Sequence, residues 1–115
     1  MAKKSNPDFL NGVPELVILQ ILNAKPMYGY ELVQAIRVRS GEKLQFGEGC
    51  VYPLLHRLEA DGLLSSKSME VNGRDRIVYR LSRTGKARLS ASRKEWEEIV
   101  HAITAIVQGD CHAQG

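Results

Sequence analysis

The sequence predicts a mainly α-helical fold with one small β-hairpin, and three patterns along its 115 residues support that prediction. Residues 13–60 contain short stretches with the apolar spacing of helices. Asn72-Gly73 lies between two extended runs, and this dipeptide is the strongest short-range signal for a hairpin. Helical periodicity then returns at Arg83 and continues to Gln108. A chain of this length is expected to form one compact domain.

The first two helices are short. Pro14 suits a first helical turn, and residues 15–22 follow with apolar side chains on nearly every side, so this helix should be central to the core. A second, amphipathic helix is predicted over about residues 28–39, where Ser40 and Gly41 end it.

The segment over residues 44–46 is short, and we expect it to be a single bridging strand. A third helix is predicted from about Glu48 to Ala60, closed by Gly62, and its inward-facing residues are Val51, Leu54, Leu55 and Leu58.

The hairpin is predicted from strands over residues 64–71 and 76–81, separated by residues 72–75. Apolar and polar residues alternate in the second strand, so one face can pack while the other meets solvent or a ligand.

The last helix is long, and its apolar residues recur every seven residues. Over residues 83–108 it would extend about 39 Å, more than so small a domain can cover. The exposed stripe therefore needs a partner, most simply the same helix of a second chain. The predicted dimer contacts are Leu89, Trp96, Ile99, Ile103 and Ile106.

This order of elements indicates a winged helix-turn-helix domain over residues 13–82 and a dimerisation helix over 83–108. Residues 1–12 are predicted to be a polar leader and 109–115 a flexible tail. In such a fold the third helix enters the major groove of DNA, and the hairpin, or wing, lies against flanking phosphate or the minor groove.

Charge is unevenly distributed. The chain has a formal net charge of +3, but residues 65–94 contain nine basic and two acidic residues, and the remainder is net negative. A localised positive region is typical of proteins that bind nucleic acid, although it is also compatible with a solvated basic face.

Other classes of protein are not favoured. The longest apolar run is too short to cross a membrane, no secretory signal is visible, and Cys50 and Cys111 form no metal-spaced pair, so a cytoplasmic location without cofactor or metal is expected. No catalytic motif is present. The rival hypothesis is a winged-helix module that binds a protein instead of DNA.

Several segments resemble the PadR family of bacterial transcriptional regulators. They are Gly29-Tyr30-Glu31-Leu32, Val51-Tyr52-Pro53-Leu54-Leu55-His56-Arg57-Leu58-Glu59, Gly62-Leu63-Leu64, Tyr79-Arg80-Leu81-Ser82 and Thr84-Gly85. The resemblance covers roughly residues 10–108 and is to the small subgroup with one C-terminal helix. It implies a homodimeric DNA-binding regulator, usually a repressor released by a small molecule or by another signal. Gly47 and Cys50 replace hydroxyl residues that are common in the family.

Three residues of the third helix are candidates for DNA contact. The resemblance places Tyr52 on the DNA-facing side, with a partly buried tyrosine bracing Pro53 as the alternative. His56 lies one turn later on the same face and either contacts DNA or is a solvated surface residue. Arg57 either contacts DNA or forms an ion pair with Glu59.

The hairpin adds Lys67, Arg74 and Arg76, whose long cationic side chains are expected to contact phosphates without reading sequence. Trp96 belongs to the dimer core or, with its symmetry mate, stacks on a planar apolar effector. Cys50 is either a buried structural thiol or, because it is near a helix N-terminus, a redox sensor.

Overall fold

The computed structural model describes residues 12–109, which form four helices and three strands. In chain order they are α1 (Val13–Ala24), β1 (Met27–Tyr28), α2 (Gly29–Arg39), α3 (Glu48–Ala60), β2 (Leu64–Val71), β3 (Arg74–Leu81) and α4 (Arg83–Gly109). The predicted leader and tail, apart from Gly12 and Gly109, lie outside the described residues. The mainly α-helical winged architecture with a long last helix is confirmed.

The core lies where α1, α2, α3 and the sheet meet. Ile18 and Leu19 of α1 and Leu55 of α3 are fully buried, and α2 adds Leu32 and Ile36. Burying an aliphatic side chain of this size stabilises a fold by about 1.5–3 kcal/mol. The burial of these side chains therefore agrees with the predicted central position of α1.

The sheet is antiparallel in the order β1-β3-β2, and its first strand was not predicted. Met27 pairs with Tyr79 and Tyr28 with Val78, so β1 supplies the third strand. The prediction of a strand at residues 44–46 is wrong. The Ser40 hydroxyl accepts a 2.9 Å hydrogen bond from the Leu44 backbone N–H, which ties this loop to the end of α2 and away from the sheet.

The hairpin turn is tighter than predicted. Asn72 and Gly73 both have positive φ, 54° and 80°, as a two-residue type I′ turn requires. Strand β3 consequently starts at Arg74, which pairs with Val71, instead of at Arg76. The shorter loop keeps the right-handed twist of the strands and adds one more basic residue to the ladder.

The start of α4 is fixed by Ser82. Its hydroxyl accepts a 3.0 Å hydrogen bond from the Gly85 N–H and donates one of 2.6 Å to the Gly62 carbonyl. A Cβ on Gly85 would lie 2.1 Å from the Leu63 carbonyl oxygen, so α4 packs closely against the segment that follows α3. Gly85 and Leu89 are the buried residues of α4, and the helix stays beside α1 as far as Glu97.

Within residues 12–109, no helix combines the length and apolar character that crossing a membrane requires.

Candidate nucleic-acid interface

Helix α3 is anchored on one face and open on the other. Val51, Leu55 and Leu58 are fully buried and attach the helix to the core. The opposite face carries exposed residues at helical spacing, namely Gly49, Pro53, His56 and Ala60. The bounds predicted for this helix agree with the structure, although Leu54 is half-buried instead of fully inward.

Tyr52 lies at the edge of this open face, and its ring packs against the start of α2. A Cβ placed on Gly29 would approach the Tyr52 Cε1 to 2.3 Å, so only glycine allows the ring this close. Tyr52 is half-buried and braces Gly29, whereas Pro53 is exposed. A DNA contact by Tyr52 remains a prediction.

His56 is exposed on the open face, and Arg57 beside it forms an ion pair. The partner of Arg57 is Glu15 of α1, at 3.3 Å from Nη2, and the same carboxylate lies 3.0 Å from Nη1 of Arg88 in α4. Glu59 instead accepts a 2.6 Å hydrogen bond from the Ser66 hydroxyl. Arg57 therefore pairs with Glu15 and not with Glu59, and the Glu15 carboxylate joins α1, α3 and α4.

Tyr79 lies behind α3, in the middle of the sheet, and is 4% exposed. Burial raises the pKa of its phenol above the usual value, and the nearby Glu59 carboxylate and Tyr52 raise the pKa further. The phenol is therefore neutral at ordinary pH and adds no charge beneath α3.

The two faces of the β2–β3 hairpin carry opposite charges. The face that continues into the core contains Leu64, Tyr79 and, toward the tip, the pair Glu70 and Asp75. The outer face is formed by Ser65, Lys67, Met69, Val71, Arg74, Arg76, Val78 and Arg80. All three basic residues predicted for the wing lie on this outer face, and none of its eight described members is acidic.

Two residues of the outer face, Arg80 and Tyr28, were not among the predicted DNA contacts. Arg80 falls on it because side chains two residues apart share a face, a count that continues from Arg74 and Arg76 and was available in the sequence. Tyr28 joins it through the pairing of β1 with β3. The Arg76 guanidinium lies 4.7 Å from the centre of the Tyr28 ring, a cation–π contact.

Trp96 lies in an open groove of about 530 Å³ between α1, the end of α2 and α4. Its walls are mainly apolar and include Leu16, Ile21 and Ile36, with Arg39 and Arg93 at the rim. The volume is in the range of small-molecule sites. Trp96 itself is 39% exposed.

The other predicted dimer contacts divide into two groups. Ile103 and Ile106 are 48% and 66% exposed, and Ile99 is half-buried. Leu89, in contrast, is 4% exposed because it packs into the core of its own chain. Leu89 therefore belongs to the body of the molecule, and the exposed stripe of α4 starts after it.

Cys50 is exposed, so the alternative of a buried structural thiol is wrong. It lies in the first turn of α3 after Gly47, the N-cap residue, which offers no side-chain hydrogen bond there. Cys111 lies outside the described residues. Among residues 12–109 no cluster of three His, Cys, Asp or Glu side chains is placed to hold a metal ion.

A helix with an open face lies next to a basic hairpin of a three-stranded sheet. This arrangement defines the class of protein: a winged helix-turn-helix protein with the layout of a DNA-binding regulator. The chain belongs to the transcriptional regulator PadR-like family, whose model matches residues 18–91.

Individual relatives agree with this membership. The transcriptional regulator Rv3488 of Mycobacterium tuberculosis is 36% identical over 108 residues, covering 94% of this chain and 95% of its own. A transcriptional regulator from Clostridium thermocellum superposes with a TM-score of 0.78 at 29% identity, over 87% of this chain and 98% of the other. A PadR-like transcriptional regulator from Bacillus cereus superposes with a TM-score of 0.77 at 27% identity, over 88% of this chain and 97% of the other. The chain is thus a transcriptional regulator and not an enzyme.

Proposed function

We propose that this regulator is a homodimeric repressor that binds a pseudo-palindromic operator in double-stranded DNA. The observation that carries the proposal is an open face on α3 next to a hairpin whose outer face has four cations and no acid. In the proposed complex, the two α3 helices enter successive major grooves, and their half-sites lie about 10 bp apart or at a multiple of that distance. The protein acts in the cytoplasm, where the operator is.

Sequence preference and affinity come from different residues. His56, exposed on the open face, and Tyr52, at the edge of that face, contact base edges or adjacent phosphates in the proposed complex. Lys67, Arg74 and Arg76 contact phosphates and supply an affinity that decreases with salt. Arg57 also contributes from α3, because its side chain is 61% exposed although Glu15 holds one of its nitrogens.

The dimer forms through α4. Trp96, Ile103 and Ile106 are exposed along one stripe of this helix, and covering them with the same stripe of a second chain removes apolar surface from water. Such a pairing places two copies of the Trp96 groove near the twofold axis.

That groove is the proposed site of an inducer. Its apolar walls and the broad face of Trp96 suit a planar apolar molecule, which releases the repressor by changing how α4 packs on α1. Titration with a panel of planar ligands should quench Trp96 fluorescence. Absence of any response across a chemically broad panel would remove the effector part of the proposal.

The DNA-binding part is tested by mobility shift of the region upstream of the gene at several salt concentrations. Affinity should decrease steeply as salt increases, and the Arg74→Ala/Arg76→Ala variant should bind more weakly with a shallower slope. An affinity that does not depend on salt contradicts the proposal. If neither protein binds any duplex, the rival hypothesis of a protein-binding winged helix is the better one.

A further inference from the structure

A second cleft adjoins the Trp96 groove between α1 and α4. It has a volume of about 440 Å³ and shares Arg93 and Glu97 with the groove, so the two spaces meet at these residues. The other residues that line it are Asn23, Lys86, Leu89, Ser90 and Lys94. This second space is called the cationic cleft below.

The groove and the cationic cleft follow one stripe of α1. Val13, Leu16 and Gln20 line the groove, and Asn23 lines the cleft. Because residues three and four apart share a helix face, these side chains lie in a row. From Val13 to Asn23 the row extends about 15 Å along the helix axis. The combined site is therefore elongated.

The two ends of the combined site differ in chemistry. The groove has mainly apolar walls, and two of its residues, Ile21 and Ile36, are part of the buried core. The described residues that line the cleft include three cations, Lys86, Arg93 and Lys94, against the acid Glu97. A ligand that fills both spaces is thus apolar at one end and charged at the other.

The cations of the cleft form none of the ion pairs among residues 12–109. Those pairs involve Lys25, Arg37, Arg57 and Arg88. Glu97 lies one helical turn after Arg93 and Lys94 but is not paired with either of them. All three cations of the cleft are exposed. Their charge is accordingly available to an anionic group.

An anion with an extended apolar chain matches this arrangement best. Removing the chain from water in the groove is favourable, and a carboxylate at its end accepts charge-assisted hydrogen bonds from the lysines and the arginine. A single-ring acid is shorter than the row of about 15 Å and leaves one end of the site unfilled. A cationic ligand would place its charge next to like charges.

We propose that the Trp96 groove and the cationic cleft together bind a medium- or long-chain alkyl carboxylate, the chemical class of the fatty acids. The chain lies along α1 and against Trp96, and the carboxylate meets Lys86, Arg93 and Lys94. This inference rests on the proposed function of the groove as the inducer site. It specifies an elongated anion where the groove alone suits any planar apolar molecule.

The first test compares three ligands that share a chain and differ in the head group: decanoate, decanol and decyltrimethylammonium. Trp96 is the only tryptophan of the chain, so its fluorescence reports binding, and calorimetry gives the stoichiometry. Below micellar concentrations, decanoate should bind at least about tenfold more tightly than decanol, the factor that one hydrogen bond to a charged group contributes. The cationic ligand should bind most weakly. Equal affinities for the three ligands would overturn the inference.

The length of the ligand is tested separately with phenylpropanoate, which has the same carboxylate on a single ring. It should bind more weakly than decanoate, because it does not reach from the groove to the cleft. Tighter binding of phenylpropanoate than of decanoate would contradict the elongated site.

The cleft itself is tested by Lys86→Gln/Lys94→Gln. This variant should bind decanoate about tenfold or more weakly and decanol as the unmodified protein does. The matched control, Lys67→Gln/Arg74→Gln, removes the same charge from the hairpin and should leave decanoate affinity unchanged. Equal losses in the two variants would assign the effect to net charge and would overturn the inference.

The rival role for these lysines is structural. Helix α1 has no basic residue in its last turn, and cations stabilise the C-terminal end of a helix. A purely structural role predicts that Lys86→Gln/Lys94→Gln lowers the free energy of unfolding and leaves decanoate affinity unchanged, which would overturn the inference.

Failure of the inference and failure of the proposed function have different signatures. If decanoate does not bind while planar apolar ligands quench Trp96, the inference is wrong and the proposed inducer site stands. If neither kind of ligand gives a response, both the inference and the inducer site fail. DNA binding is measured independently by the mobility shift.

Discussion

The body of the molecule and the far half of α4 contain similar apolar residues in opposite situations. Ile18, Leu19 and Leu55 are fully buried within one chain, whereas Ile103 and Ile106 are about half or more exposed. Leu89 is the last buried residue of α4, and the helix continues to line a groove with α1 as far as Glu97. The apolar residues of the body are therefore buried within one chain, whereas those at the end of α4 are exposed in a single chain.

The difference shows that a periodic pattern of apolar residues predicts a helix, but does not tell whether those residues are buried within their own chain or against a second chain. Both regions have helical periodicity, but α1 packs against α2, the sheet and the first part of α4, while the end of α4 extends beyond them. Substitutions in the body should therefore change the free energy of unfolding of one chain, and substitutions in the stripe should change association.

The largest expected effect follows from a cavity in the body. Leu19→Ala should lower the free energy of unfolding by about 2–5 kcal/mol, because it removes a fully buried side chain. Urea unfolding at two protein concentrations measures this, and the loss should be the same at both. Ile103→Ala is the matched control, and at concentrations where the chain is monomeric it should cost less than about 0.5 kcal/mol. Equal costs would abolish the distinction between the regions.

A smaller effect is expected where two elements of the body approach most closely. Gly29→Ala should cost about 1–3 kcal/mol, since the new methyl group would displace the Tyr52 ring. Thermal or urea unfolding gives the value. Gly49→Ala tests the same chemical change at an open position of α3 and should stabilise the helix by up to about 1 kcal/mol. If both substitutions changed the free energy of unfolding in the same direction, the close contact between Gly29 and the Tyr52 ring would be contradicted.

The joint between the regions should contribute less again. Glu15→Gln weakens the ion pairs to Arg57 and Arg88, whose side chains are 61% and 49% exposed, so solvent screening limits the loss to about 0.5–1 kcal/mol. Unfolding at low and high salt measures it, and the loss should shrink at high salt. Glu31→Gln, which affects only the pair with Lys25 at 3.4 Å, should have a smaller effect. A loss that salt does not change would point to packing instead.

The smallest effect on the body is expected from the stripe itself. Ile106→Asp should change the free energy of unfolding of the monomer by no more than about 0.5 kcal/mol, because the side chain is 66% exposed. Light scattering should nevertheless show a shift from dimer to monomer, since a charge in an apolar interface is costly. Thr104→Asp adds the same charge at an exposed position off the stripe and should leave the dimer intact. If both variants dimerise equally, α4 is not the interface.

The sequence was most informative where local chemistry decides the structure. The bounds of α3 followed from apolar spacing and from Gly62, and the hairpin followed from Asn72-Gly73, whose positive φ values suit the turn. Strand β1 was not predictable in this way, because two residues show no period and its partner β3 lies about fifty residues away.

The candidate site was predictable only in part, for the same reason. Lys67, Arg74 and Arg76 could be assigned to the wing from composition, but the choice of a face depends on the register of β2 with β3. The Glu15 ion pairs join residues that are 42 and 73 positions apart, and no local pattern indicates them. Contacts of this range are set by how the helices pack.

Strand β3 ends at Leu81 and α4 begins at Arg83, so a single residue separates the wing from the long helix. Ser82 is bonded on both sides, and this junction has no slack with which to act as a hinge. One residue inserted within the first turns of α4 would rotate the rest of that helix by about 100° relative to the body. In the proposed dimer the separation of the two α3 helices therefore depends on this one-residue connection, and changing its length would change which operator spacings both helices can reach together.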